Sequence, residues 1–586
     1  MPTSSRALAA AAALAAGIAL TQGLGAQDRP ESILPPGFGE PAAQPSARAS
    51  AAPVPSDPPG AVVQPLPPAA EPSAAPSPTP SASATAIDPA TLALYEMPPF
   101  ARRSLDRVGV AGDGGVGADA FGAADGRYLE ALMRRTAAPL PSRWLSIALR
   151  RLLVAPLDTP AGLNGADFAA ERAWLLLRMG EATAARAVVQ GVDDADYTPK
   201  LFEVAANAWL ATGDPAGLCP VVEAGLAATG EAAWTMARPF CAALAGDGAR
   251  ARALFQQARR GRAANGVDLL LAQKVMGSVA DGRQAVTIEW DGVDRLTAWR
   301  FGLATATGVS IPDALYDTAG RQATYWRALS PGVALGDRIV AAEAAAGQGV
   351  LSNSALVDLY GAIADDENAA SGPSATAQDL RTAYAGGDHD SRLAALRQLW
   401  GQSPAWSRLV LTARAAARQP VRDKSDVADP LVASMLSAGL DRHAARWAAA
   451  VPAGGDAWAM IALADPDSRR RLSAGDVQGY GGSEAKRRLF FAGLAGLGRI
   501  APSDVESVAE ALGVRIGAQN SWTRALDRAV AQQQSGTVLL LAAVGMQTAT
   551  WRGVPAEALF RIVAAFRAVG LDGEARMIAV EAISRA

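Results

Sequence analysis

Ser483-Glu484-Ala485-Lys486 sets a lysine one helical turn after a serine, the spacing at which a side-chain amine activates a hydroxyl nucleophile. The Lys-Thr-Gly element that accompanies this chemistry is missing, so the tetrapeptide reads as a helix start. Gly112-Asp113-Gly114-Gly115-Val116-Gly117 fits the dinucleotide fingerprint letter by letter, but that motif works only between a strand and a helix, and neither pattern flanks it. Two histidines, His389 and His443, leave little material for imidazole catalysis or zinc binding. His389 lies in Gly387-Asp388-His389-Asp390, where a weak metal site competes with a solvated helix start, and His443 follows Asp441 at another helix start. The acidic runs Asp193-Asp194-Ala195-Asp196 and Asp365-Asp366-Glu367-Asn368 lack the glycine and closing glutamate of a calcium loop. No catalytic, cofactor-binding or metal-binding residue is assigned, and no cofactor is expected.

The remaining chemistry is that of recognition. Arg259-Arg260 with Arg262, and Arg469-Arg470-Arg471, can meet an anionic polymer or merely end helices favourably. Trp290, Trp299, Tyr316, Tyr325 and Trp326 gather in one stretch, either as a ligand groove or as filler for an alanine-rich core. With a formal net charge of −3 and a pI near 5.7, the chain has no global attraction for nucleic acid, and none is expected as a partner.

What must position these residues is a series of helices. Gly180, Gly213 and Gly246 recur every 33 residues, each followed by an acidic residue: Glu181, Asp214, Asp247. A glycine accepts the left-handed turn after a helix, and a carboxylate favours the amide-rich start of the next. Gly439-Leu440-Asp441 and Gly570-Leu571-Asp572 repeat the phrase. Apolar residues at three- and four-residue spacing, Leu129, Leu132, Met133, then Trp144, Leu145, Ala148, Leu149, Leu152, and again Trp174, Leu177, Val188, Trp209 and Leu210, predict core-facing stripes. The expected fold is all-α, an α-solenoid of stacked antiparallel helix pairs. Val286 to Trp290, with Ala285 before it, reads as a short strand or an irregular connector, and Ser371-Gly372-Pro373-Ser374 as a loop or a joint between two solenoid segments.

At the N-terminus, Arg6, the apolar run Ala7 to Leu20 and the small residues Gly23, Gly25 and Ala26 match a secretory signal; the run is shorter than the roughly 20 residues of a membrane span. The expected organisation is a signal peptide over 1–26 and a Pro/Ala/Ser-rich tether over 27–88. A helix and Gly-rich loop follow over 89–127, then helical-repeat segments over 128–370 and 375–586. Within the tether, Ile33, Leu34 and Phe38 flank a Pro-Pro-Gly turn as a candidate docking motif. Periplasmic or secreted placement, with no membrane span once the signal is removed, follows. In such a compartment the only two cysteines, Cys219 and Cys241, placed at the same edge of adjacent helices by the repeat, are expected to pair; two small buried thiols are the alternative.

These helical hairpins, over about 160–260 and 430–586, resemble tetratricopeptide-like repeats, although the fuller spaced signature of that family is not kept. The exported, Ala-rich, tethered form is similar to uncharacterised envelope proteins of GC-rich alphaproteobacteria. The 33-residue glycine period and the near absence of catalytic groups lead to the expectation of a non-enzymatic scaffold that binds an envelope protein or peptide. A cell-wall-active enzyme or enzyme subunit with a superhelical domain is the alternative, and a structural spacer a third.

Overall fold

Helix closure by glycine recurs along the chain with one geometry. In a computed structural model describing residues 98–586, apart from 111, 113–114, 279–285 and 423–425, Gly180, Gly213, Gly246, Gly439 and Gly570 all take left-handed φ between 71° and 87°. After each, the next backbone N–H reaches five residues back: Glu181 to Leu176, Asp214 to Trp209, Asp247 to Ala242, Leu440 to Met435 and Leu571 to Phe566, at 2.8–3.0 Å. This double closure satisfies carbonyls that a helix end otherwise leaves bare. Gly180 is doubly constrained, because a Cβ there would stand 2.5 Å from the Tyr325 ring.

The described residues hold 27 α-helices and one two-residue strand pair, Arg107–Val108 against Leu157–Asp158, which makes the fold all-α. The helix starts are legible in their caps. Asp125 accepts from the Tyr128 N–H, Ser142 from Leu145, Asn164 from Ala166, Thr198 from Leu201 and Asp247 from Arg250. The helices then alternate as antiparallel partners: Gly165–Met179 with Ala182–Val189, Ala232–Leu244 with Gly248–Arg260, and Ala556–Ala568 with Asp572–Arg585. Leu129, Met133, Leu145, Leu149, Leu152, Leu177, Val188, Trp209 and Leu210 are all buried, as their spacing predicts. Small residues let the helices close on one another. A Cβ on Gly496 would lie 2.8 Å from Val563 of the neighbouring helix.

Three sequence expectations are corrected or sharpened. Ser371-Gly372-Pro373-Ser374 is no loop but the first turn of the helix Ser371–Ala385, where proline lacks only a donor that has no partner anyway. Val286–Trp290 is a connector without regular structure, and Ala285 lies outside the described residues. Trp174, read as part of a core stripe, is 41% exposed. The signal and tether segments, with Ile33, Leu34 and Phe38, lie outside the described residues.

The second and last α-helices of the described residues, Arg143–Val154 and Asp572–Arg585, meet at a buried carboxylate. Glu581, fully buried on the helix Asp572–Arg585, accepts from Ser142 Oγ at 2.7 Å, from the Arg143 and Trp144 N–H groups at 2.8 and 3.1 Å, and from Arg585 Nη1 at 2.6 Å. It therefore caps the helix Arg143–Val154 from the far end of the sequence. The buried Arg143 side chain donates to the carbonyls of Ser437, Ala346 and Leu351. Burial lowers its pKa to about 10 despite the neighbouring Glu581 charge.

One glycine-acid junction carries a titration. Glu181 does not cap its helix with its side chain; it turns inward to Arg150 Nη1 at 2.8 Å, and Arg150 also donates to the Gly349 carbonyl. Burial pushes the Glu181 carboxyl up to about 7, with Arg150 opposing. A carboxyl that holds its proton more tightly when folded stabilises the fold below its unfolded pKa, and that stabilisation is lost as pH rises through the folded value. Relative to Glu181→Gln, the native chain is thus expected to lose on the order of 1–3 kcal/mol between about pH 4.5 and 7. Denaturant midpoints of both chains across that range check it; two parallel curves would exclude the linkage.

Candidate binding surface

A cavity of ≈ 970 Å³ opens where three helices begin: Asp456–Ala464 after Gly454-Gly455, Glu484–Leu497 after Gly481-Gly482-Ser483, and Ala556–Ala568 after Pro555. Gly481 donates its N–H to the Gly454 carbonyl at 2.9 Å, which ties the first two turns together. Asp456 is the centre of the wall. It accepts from Tyr480 Oη at 2.6 Å and from Lys486 Nζ at 2.8 Å. Burial and the Asp456 carboxylate raise the Tyr480 hydroxyl well above its ordinary pKa, so it stays a donor. Asp429, in turn, takes the Ala457 N–H at 2.7 Å at the start of the same helix.

This geometry decides the fate of the serine-lysine motif. Ser483 Oγ accepts the backbone N–H of Lys486 as a helix cap, while the lysine amine is held as an ion pair by Asp456. Neither group is arranged as nucleophile and base. A second cavity of ≈ 390 Å³, lined by Trp400, Pro404, Leu409, Met460 and Ile583 among others, shares Asp456 and Lys486 with the first. The ion pair stands between the two compartments. Arg488 and Arg552 bring cations to the larger one, and Glu557, Leu489, Val514 and Trp551 give it an acid and apolar walls.

The other sequence candidates are dispersed. Gly112 to Gly117 follows a strand of only two residues, and the next helix begins at Gly126. His389 opens the helix His389–Trp400 with its side chain largely buried and Nε2 3.9 Å from Asp390, whereas His443 is exposed. Asp193 is bonded by the Arg103 N–H and Asp365 by Arg381. Among the described residues no cluster of His, Cys, Asp and Glu has the make-up of a metal site. The central aromatics pack: Trp299 lies on Phe240, Tyr316 and Trp326 flank Phe301, Tyr325 is buried, and Trp290 Nε1 donates to the Ser310 carbonyl. Arg259 and Arg260 are exposed in the last turn of the helix Gly248–Arg260, whereas the Arg469 to Arg471 run is exposed in the loop between the helices Asp456–Ala464 and Ala474–Gln478. Cys219 and Cys241 are joined in a disulfide with a Cα separation of 5.3 Å. Among the described residues no helix is long and apolar enough to cross a membrane.

Sequence reasoning missed the pairing of Asp456 with Lys486, which lie 30 residues apart. The scarcity of lysine was the available signal. Only four occur, Lys200, Lys274, Lys424 and Lys486, against 50 arginines, and two of them, Lys200 and Lys486, join carboxylates at cavities. No family model, curated protein or solved structure matches the chain.

Proposed function

We propose that this protein is a non-enzymatic, exported binding scaffold of the cell envelope that takes an extended segment of a protein or peptide partner. The observation that carries the reading is the pair of adjoining cavities, ≈ 970 and ≈ 390 Å³, that share the Asp456–Lys486 ion pair. Together they exceed what one small ligand fills and alternate charged with apolar lining. A peptide backbone also brings carbonyls and N–H groups that suit the helix starts and the polar rim. The signal-like N-terminus and the Cys219–Cys241 pair support export, and the pairing of Ser483 and Lys486 with structural partners favours binding over covalent chemistry.

The test is a peptide array of envelope-protein sequences probed with the full chain, followed by hydrogen exchange on the tightest hit. Protection is expected at 454–457 and 481–489, and Lys486→Ala with Arg552→Glu should weaken the hit about tenfold or more. Deleting 27–88 should leave the helical array folded while altering partner capture, through loss of Ile33, Leu34 and Phe38. Hydrolysis of an envelope polymer by the purified chain, abolished by one carboxylate or serine substitution without unfolding, would overturn the scaffold reading.

A further inference from the structure

Trp174 is the ring the helical pattern assigns to the core and the structure places on the surface. It sits on the helix Gly165–Met179 in a shallow cavity of ≈ 280 Å³ shared with Arg134, Glu171, Lys200, Glu203 and Asn207. Every cation near it is already engaged. Glu171, itself only 4% exposed, takes Arg134 Nη2 at 2.6 Å and Lys200 Nζ at 2.7 Å, and Glu130 takes the same two cations at 2.6 and 2.7 Å. Arg178, one turn beyond Trp174, donates to the Met133 and Thr136 carbonyls at 2.6 Å. Two carboxylates thus neutralise two cations in a closed set.

What remains is a bare indole and a spare negative charge. Among the described residues Glu203 has no hydrogen bond or ion pair from its carboxylate, and no cation covers the Trp174 ring, although six other rings carry an arginine at 4.8–6.0 Å. Glu231, at the start of the helix Ala232–Leu244, is exposed and its carboxylate has no partner among the described residues; burial and then the Glu203 charge hold its carboxyl above the ordinary value. An indole face attracts a cation through its quadrupole, and a carboxylate beside it completes the charge balance. An anionic ligand would meet Glu203 with like charge.

We propose that Trp174 and Glu203 form a subsite for one ammonium or guanidinium group, carried by a basic polypeptide segment that crosses the exposed faces of the helices Gly126–Arg135, Gly165–Met179 and Pro199–Ala211. Glu231 lies in position to take a second cation of the same segment. The ion pairs among Glu130, Arg134, Glu171 and Lys200 fix the floor and keep those two cations engaged, so the ligand's cation meets the Glu203 carboxylate, which has no partner among the described residues. The surface uses different helices from the two cavities that meet at Asp456, and either site can fail alone.

The full chain carrying 5-fluorotryptophan, with the Trp174 resonance assigned by its loss in Trp174→Phe, reads the site by fluorine NMR. Tetralysine and tetraarginine are expected to shift that resonance saturably, while fully acetylated tetralysine leaves it in place. Glu203→Gln should weaken the titration about fivefold. Glu506→Gln removes one exposed carboxylate elsewhere and should leave it unchanged. A Trp174 resonance that ignores the cationic peptides, responds equally to the acetylated one, or saturates only with a neutral sugar such as cellotriose overturns the proposal.

Discussion

Glu581→Ala is expected to destabilise the helical array by about 3–5 kcal/mol, the range for removing one partner from a buried, hydrogen-bonded charge set. The carboxylate is fully buried and takes four donors, two of them backbone N–H groups at the start of the helix Arg143–Val154. Alanine would leave those N–H groups without an acceptor, and it would strip the buried Arg143 guanidinium of the carboxylate that does most to oppose its desolvation, with Glu181 the lesser contributor. Glutamine keeps an acceptor but no charge, so Glu581→Gln should fall between alanine and the native residue. Glu484→Gln, which breaks the exposed one-turn pair with Arg488, should move stability by no more than about 0.5 kcal/mol. Denaturant unfolding measures all three, and hydrogen exchange should show the helices Arg143–Val154 and Asp572–Arg585 opening together in the alanine variant. An alanine variant as stable as the glutamate-484 control would mean that the two ends of the array are held by packing alone.

The parts of this fold legible in the sequence are those set by single residues and their neighbours. Gly180, Gly213, Gly246, Gly439 and Gly570 could be placed because a left-handed helix end is a local requirement that few other side chains tolerate, and the carboxylate after most of them is equally local. Proline misled in the other direction. Pro373 looks like a breaker within Ser-Gly-Pro-Ser, yet the first turn of a helix offers N–H groups that need no partner, so it sits inside the helix Ser371–Ala385 at no cost.

The binding surfaces were less legible because periodicity reports which residues share a helix face and not what lies opposite that face. Trp174 and Leu177 both fit the apolar stripe, yet Leu177 is buried and Trp174 stands beside Glu203 at the surface. Glu581 and Arg143 are 438 residues apart, and Asp456 meets Lys486 through the packing of two helix starts. Pairings of this kind exist only once the array has closed on itself. Lysine scarcity was the one linear trace of them, since Lys200 and Lys486 each join a carboxylate at a candidate surface.

Reduction of the Cys219–Cys241 bridge is expected to cost about 3 kcal/mol, the chain-entropy value for a loop of this length. The two cysteines are 22 residues apart and staple the 3-10 helix Pro215–Val221 to the helix Ala232–Leu244 across the short helix Val222–Thr229. That short helix buries little, and its Glu223 carboxylate pairs with Arg238 and Arg250. Its buried residues are Val222 and Gly225, and Gly225 lies against Trp234, whose own ring is completely enclosed and meets Phe202 edge-on. In the Cys219→Ser, Cys241→Ser double variant the region 215–244 should therefore open first, with proteolysis and hydrogen exchange rising there before the helices at the chain's far end respond. The same bridge bears on compartment, because a reducing cytosol would keep both thiols free and the chain would start from the weaker state. Alkylation and mass measurement of unreduced protein from the native cell should find no free thiol. Two alkylated cysteines there would refute both the bridge and the export it supports, while a double variant as stable as the native chain would show that packing around Trp234 suffices without it.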